Sequence, residues 1–294
     1  MAGPYFERVA FIGIGHIGSS LARLLRREKM AGTIIASARR KETLDTVMRL
    51  GLAEAVTDDP ATAVKDADLV VIATPLSTYR EIGQAIAPAL KPGAIVTDVG
   101  SVKSLVVREL IPLLPASIRV VPGHPVAGTE NSGPESGFPE VFQNRWCILT
   151  PVPGGDAAAL DQVTRMWQAG GMNVVTMDPE HHDTVLAITS HLPHLIAYTI
   201  VGTATDLEET LKSEVIKFSA SGFRDFTRIA ASDPVMWRDI FLNNREAVLA
   251  VLQRFNEDLT ALQRAIRWGE GDKLQELFTR TRAIRRSIIE AKQA

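Results

Sequence analysis

Val9-Ala10-Phe11-Ile12-Gly13-Ile14-Gly15-His16-Ile17-Gly18-Ser19-Ser20 hands an apolar, strand-like run over to a glycine-punctuated turn and then to a helix-forming segment. The Gly-x-Gly-x-x-Gly spacing has a physical reading at each position. Gly13 permits a tight turn, Gly15 lets the backbone approach a pyrophosphate, and Gly18 lets the helix pack close to the strand. The N-terminus of that helix offers free N–H groups and the positive end of its dipole to an anion. A glycine-rich turn without a ligand would carry the same letters, but the strand–turn–helix setting at the head of an alternating chain favours a dinucleotide. Ile14, His16 and Ile17, which lie between the glycines, are expected to line it.

Outward from this turn, short apolar runs alternate with amphipathic ones as far as about Met177. Val9–Ile12, Thr33–Ser37, Leu69–Ala73, Ala94–Val99, Ile118–Val121, Cys147–Thr150 and Asn173–Met177 read as strands. Ile17–Lys29, Glu42–Leu50, Thr78–Leu90, Lys103–Leu114 and Ala157–Ala169 read as crossover helices. Continuous apolar strands alternating with helices predict a parallel α/β sheet covered on both faces, a Rossmann-type dinucleotide-binding domain over residues 1–178. After Asp178 the strand signal stops, and residues 179–294 are expected to form an all-helical domain. Its clearest segment places Val248, Leu252, Phe255, Leu259, Leu262 and Ile266 on one stripe of a helix about 30 Å long. Such stripes are usually core, and this one also suggests a homodimer through the helical domain.

Composition narrows the function further. The 294 residues carry 32 basic and 34 acidic side chains, a formal charge of −2, so neither nucleic acid nor an anionic membrane is expected as partner. The single cysteine, Cys147, cannot form an internal disulfide and reads as a small apolar strand residue. No run of roughly 20 continuous apolar residues and no signal peptide is legible, so a cytoplasmic location is expected. The second strand ends in Ser37-Ala38-Arg39-Arg40, without the acid that would bond the ribose hydroxyls of NAD. Ser37, Arg39 and Arg40 are therefore expected on the cofactor, with a lean toward NADP over NAD because guanidinium can hold a 2′-phosphate.

Polar residues gather in four further segments: Asp98-Val99-Gly100-Ser101-Val102-Lys103, Gly123-His124-Pro125-Val126-Ala127-Gly128-Thr129-Glu130, Ser190-His191-Leu192-Pro193-His194 and Gly222-Phe223-Arg224-Asp225-Phe226-Thr227-Arg228-Ile229. In this order after a dinucleotide turn they resemble the prephenate/arogenate dehydrogenase family, from about Arg8 to past Trp237. The resemblance implies oxidative decarboxylation of prephenate or arogenate with NAD(P), in the synthesis of tyrosine. It implies His124 as the catalytic histidine and Ser101 as a catalytic partner bonding that histidine or the substrate hydroxyl. It implies Arg228 on the ring carboxylate, Ser190 and His194 in substrate binding, Glu130 lining the pocket, Trp237 reaching it, and Thr74-Pro75 as a cofactor-side turn. It also suggests tyrosine as a feedback inhibitor, acting at the active site or through the dimer, with neither a fused mutase nor a regulatory domain expected.

Other readings compete. His191 and His194 could ligate a metal with His181, His182 and Asp183, but the resemblance implies none and no metal is expected. His181 and His182 read instead as solvated or capping residues. A β-hydroxyacid or 6-phosphogluconate-type dehydrogenase would need a lysine in a glycine-rich helix, a setting that Lys212 and Lys217 lack. A non-catalytic dinucleotide sensor would keep the three glycines without needing His124 or Arg228.

Overall fold

The computed structural model describes residues 5–206, 214, 217, 218 and 220–290; Lys212 lies outside the described residues. Six parallel strands form the main sheet: β1 (Phe6–Ile12), β2 (Ala31–Ser37), β3 (Ala55–Thr57), β4 (Leu69–Ile72), β5 (Ile95–Asp98) and β6 (Arg119–Val121). Their spatial order is β3-β2-β1-β4-β5-β6, with every pairing parallel. This is the doubly wound dinucleotide order, in which the chain reverses direction across the sheet beside β1.

Strand periodicity separates two cores. Val9, Phe11, Leu69, Val71 and Ile95 face one layer, while Ala10, Ile12, Val70, Ile72 and Val96 face the other. The first layer is closed by α1 (His16–Arg27), α2 (Lys41–Arg49) and a later helix α6 (Ala157–Ala169), whose Trp167 meets Phe142 edge-on. The second is closed by α3 (Pro60–Val64), α4 (Tyr79–Ile86) and α5 (Lys103–Leu105), together with Trp237 and Ile240 from the helix Pro234–Asn243. Both faces of the sheet are thus buried, which is why its strands carry no polar alternation.

The expected single parallel sheet divides after β6. The chain passes Pro122 and enters β7 (Gly123–Val126), which runs antiparallel to β8 (Trp146–Leu149); β9 (Asn173–Thr176) then pairs parallel with β8. Pro122 has no N–H to continue the first ladder, though its carbonyl accepts from Thr150 N at 3.0 Å. With glycine and proline in its four residues, β7 lacks the composition of a strand, and β3 is only three residues long; neither was legible. The expected helix Lys103–Leu114 departs similarly, passing from α5 through a π-turn (Val106–Leu110) to a 3₁₀ turn (Ile111–Leu113) at Pro112.

Beyond β9, helix α7 (Pro179–Leu186), a π-turn (Ala187–His191) and α8 (Leu192–Thr205) form one continuous helical run. Contrary to the sequence expectation, this run is long and apolar enough to cross a membrane by length and composition alone. Its apolar residues are interrupted by His181, His182, Asp183, His191 and His194, which hid the length of the run. Residues 1–245 pack as one compact unit and residues 246–294 as another. The second unit is helical, with the helices Arg245–Arg267 and Gly271–Glu290 joined through Gly269 at φ +66°. The apolar stripe expected as core is only partly covered among the described residues: Val248 is buried, but Leu259 and Ile266 remain 51% and 67% exposed.

Candidate active site

The parallel register brings the carboxyl ends of β1, β4 and β5 to one edge of the sheet, where the Gly13 turn, Thr74-Pro75 and Asp98–Ser101 follow in turn. At the first turn, Gly13 has φ +82°, and a Cβ there would stand 2.7 Å from the Ala73 carbonyl oxygen. Gly18 packs its helix onto the turn, with a Cβ at 3.0 Å from the Gly13 oxygen. Gly15 differs: a Cβ there would meet nothing within 4 Å, and as N-cap of α1 it makes no side-chain cap bond. The open backbone and uncapped N–H groups are what a pyrophosphate cradle requires. His16 is held aside, its Nδ1 3.0 Å from Ser136 Oγ and its ring edge-on to Phe138. Thr74 Oγ1 accepts from Thr78 Oγ1 at 2.8 Å beside exposed Pro75. Ser37 is buried at the end of β2, whereas Arg39 and Arg40 are exposed and have no ion-pair partner among the described residues.

The next strand end carries a dense set of hydrogen bonds. Asp98, buried at the close of β5, accepts from Tyr79 OH at 2.9 Å, Gly100 N at 2.9 Å, Gly123 N at 3.1 Å and the Lys103 ammonium. Lys103 is wholly buried and also donates to the Gly123 carbonyl at 2.6 Å. It is the internal counter-ion of Asp98. Burial lowers its pKa, and the attraction of Asp98 opposes that fall. Because Asp98 grips Gly123, the adjacent His124 is delivered to the carboxyl end of β5.

His124 is buried, and its Nδ1 lies 2.9 Å from Nε2 of His182. His182 Nδ1 in turn lies 2.8 Å from Asp183 Oδ1. Asp183 further accepts from Lys103 N at 2.7 Å, Ser104 N at 2.9 Å and the Ser104 hydroxyl. Burial pushes the Asp183 carboxyl up, but the bonds from His182, Ser104 and the Lys103 backbone outweigh it and hold the pKa below the ordinary value. This corrects the sequence expectation for His182, which is fully buried rather than solvated or capping. The ring bonded to His124 is His182, while Ser101, half-buried after β5, makes no side-chain bond among the described residues. The Asp178 carboxylate caps α7 instead. A histidine next to an aspartate one turn into a helix was the available signal, but nothing in a linear sequence shows that it meets a strand 58 positions earlier.

The remaining candidates form a continuous cluster. Asn244 Nδ2 donates to the Asp183 carbonyl at 2.8 Å and reaches His191 Nδ1 at 3.1 Å. His191 is buried, its pKa pushed down to about 4 chiefly by burial, and its Nε2 has no partner among the described residues. Trp237, whose indole N–H is likewise buried and unpartnered, lies edge-on to His191 and stacks on His194 with centroids 3.6 Å apart. This contact lies within the chain itself. His194 Nδ1 bonds the Ser190 carbonyl at 2.9 Å, and its pKa is lowered first by burial and further by the charge of Arg228. Arg228, in a 3₁₀ turn after the helix Ser221–Thr227, donates to Glu130 at 3.0 Å. The π-turn that carries Ser190 and His191 is the kind of helix irregularity that accompanies functional sites.

Comparisons with known proteins agree with this geometry. Two family profiles match: "Prephenate dehydrogenase, nucleotide-binding domain" over residues 21–176 and "Prephenate dehydrogenase, dimerization domain" over residues 178–280. The cyclohexadienyl dehydrogenase of Zymomonas mobilis is 42% identical over 283 residues, 96% of each chain. The crystal structure of prephenate dehydrogenase from A. aeolicus in complex with hydroxyphenyl propionate and NAD+ superposes with TM-score 0.88 at 35% identity, covering 96% of this chain and 98% of that one. Synechocystis arogenate dehydrogenase gives TM-score 0.78 at 26% identity, covering 95% and 98%.

The glycine geometry makes a paired prediction. Gly13→Ala should destabilise the fold, because of its positive φ and the 2.7 Å approach to Ala73. Gly15→Ala should leave the melting temperature unchanged yet weaken dinucleotide binding by about 10-fold or more. Calorimetry and cofactor titration on both variants check it; equal behaviour of the two would contradict the assignment.

Proposed function

Since the chain belongs to the prephenate dehydrogenase family, we propose that this site oxidises and decarboxylates prephenate or arogenate on the route to tyrosine. The observation that supports it most directly is the buried imidazole of His124, bonded at Nδ1 to His182 and so left with Nε2 for a substrate hydroxyl. A bound nicotinamide dinucleotide supplies the hydride acceptor, and Gly13, Gly15, Gly18 and the N-terminus of α1 would hold it. As the C–H pair leaves the hydroxyl-bearing ring carbon, His124 accepts the hydroxyl proton. The pair from the ring–carboxylate bond then refills the ring as carbon dioxide departs, and the oxygen regains a proton as a phenol. Ser101 bonds the same hydroxyl. Arg228 exchanges Glu130 for the ring carboxylate, which a guanidinium fork grips with two parallel bonds. Ser190, His194 and Trp237 bind the rest of the substrate, a wall with two unpaired buried donors, His191 Nε2 and the Trp237 indole N–H.

The functional division of the chain falls at residue 178, cofactor binding before it and substrate binding and dimerisation after it. The cofactor is NADP in preference to NAD: β2 ends without an acid, and the free guanidiniums of Arg39 and Arg40 suit a 2′-phosphate. The enzyme works in the cytoplasm, with tyrosine as an inhibitor that shares the product's ring. A second copy of the chain covers the exposed stripe of residues 246–294, so light scattering at micromolar concentration should give a dimer mass; a monomer would remove this part of the proposal.

The deciding assay follows reduced-cofactor absorbance with prephenate and arogenate, each against NAD and NADP. Turnover is expected in at least one combination, a lower KM with NADP, and about 100-fold or more lost turnover in His124→Ala with cofactor binding retained. Silence in all four, with the dinucleotide still bound, would favour a hydroxyacid dehydrogenase or a sensor instead.

A further inference from the structure

We propose that His182 and Asp183 are positioning residues that hold His124 in its Nδ1–H tautomer, leaving Nε2 bare to accept the substrate proton; this rests on the reading of His124 as the base. The direction of each bond in the chain follows from its last member. Asp183 is bonded at both oxygens by donors: Lys103 N and His182 on Oδ1, Ser104 N and its hydroxyl on Oδ2. A carboxylate only accepts, so His182 Nδ1 carries a proton. His182 is wholly buried and its pKa is lowered, by burial first and against the pull of Asp183, so it is neutral and its Nε2 must accept. Among the described residues the only group that meets this nitrogen is His124 Nδ1, at 2.9 Å, which must therefore donate. A neutral imidazole with its proton on Nδ1 has its lone pair on Nε2.

This arrangement opposes the intrinsic preference of imidazole, whose Nε2–H form predominates in water. Left unbonded, His124 would present a donor to the substrate hydroxyl instead of an acceptor. The carboxylate at the far end also stabilises the imidazolium formed when the proton arrives, as the aspartate of a Ser-His-Asp triad does for its histidine. Here a second imidazole is interposed, which sets the negative charge one ring further from the substrate carboxylates that Arg228 must hold.

Tautomers are read directly by long-range ¹H–¹⁵N correlation spectra of the full-length chain labelled at histidine, with His124→Asn to assign the signal. The wild type should show His124 as Nδ1–H near neutral pH. His182→Leu removes the acceptor and should return His124 to the Nε2–H form, lowering kcat about 100-fold while KM for substrate and cofactor stays within about 3-fold. His182→Gln, whose amide oxygen can accept from Nδ1–H, should keep the tautomer and restore most of kcat. An Nε2–H signal for His124 in the wild type, or wild-type turnover in His182→Leu, would overturn the proposal. Should His182→Leu fail to fold, the wild-type spectrum and the glutamine variant still decide. Because the spectrum needs no substrate, a failure of the proposed reaction would show separately, as absent turnover in a wild type with the expected tautomer.

Discussion

The carboxylate of Asp98 is the constraint from which the site is built. It sits at the carboxyl end of β5 and accepts from α4 through Tyr79, from its own loop through Gly100, from β7 through Gly123 and from the Lys103 ammonium. Four donors, one of them a counter-ion, make a buried charge tolerable, since an unpaired one would cost several kcal/mol. Burial and the neighbouring Asp98 both push the Tyr79 hydroxyl up, so it remains a donor at any working pH. The arrangement does what packing alone could not: it fastens the first strand of a second, differently oriented sheet to the dinucleotide sheet, one residue before the histidine on which the chemistry turns.

Asp183 repeats the device one step away. It ties the start of α5 to α7 through the Lys103 and Ser104 amides, and Asn244 bonds its carbonyl. Lys103 thus serves both carboxylates, one with its side chain and one with its backbone. Two buried acids flank the His124–His182 pair, and burial lowers the pKa of both rings, outweighing for His182 the pull of Asp183 and Asp98. Arg228 and Glu130, by contrast, are exposed and, among the described residues, paired with each other, a contact of small net energy that a substrate carboxylate can replace.

Legibility in the sequence followed locality. The glycine turn, the parallel strands β1, β2, β4, β5 and β6 and the crossover α6 were readable because each depends on residues close in the chain: a turn, an apolar run, a helical face. The second sheet was not, because Gly123-His124-Pro125 is poor strand composition and gains its register from Asp98 and from β8. Candidate residues at strand ends, His124, Ser101 and Thr74, stood out by position, and the resemblance supplied Arg228, His194 and Trp237. The roles of His182 and Asp183 did not stand out, since they come from contacts 58 and 80 positions away. The stripe of residues 248–266 was correctly periodic, yet its periodicity could not say whether this chain or another covers it.

The central claim, that His124 is a neutral base held ready in a buried site, is tested most directly by the pH dependence of kcat/KM. Burial depresses the His124 pKa well below the ordinary value, and the charge of Lys103 depresses it further. A base must be neutral to accept a proton, so a lowered pKa keeps the enzyme active through neutrality and removes activity only as the pH falls through that pKa. The account predicts a flat kcat/KM between about pH 6.5 and 8, with its acid limb centred below the ordinary histidine value of about 6.5. An acid limb centred at pH 7 or above, on an approximate scale set by that ordinary value, would contradict it.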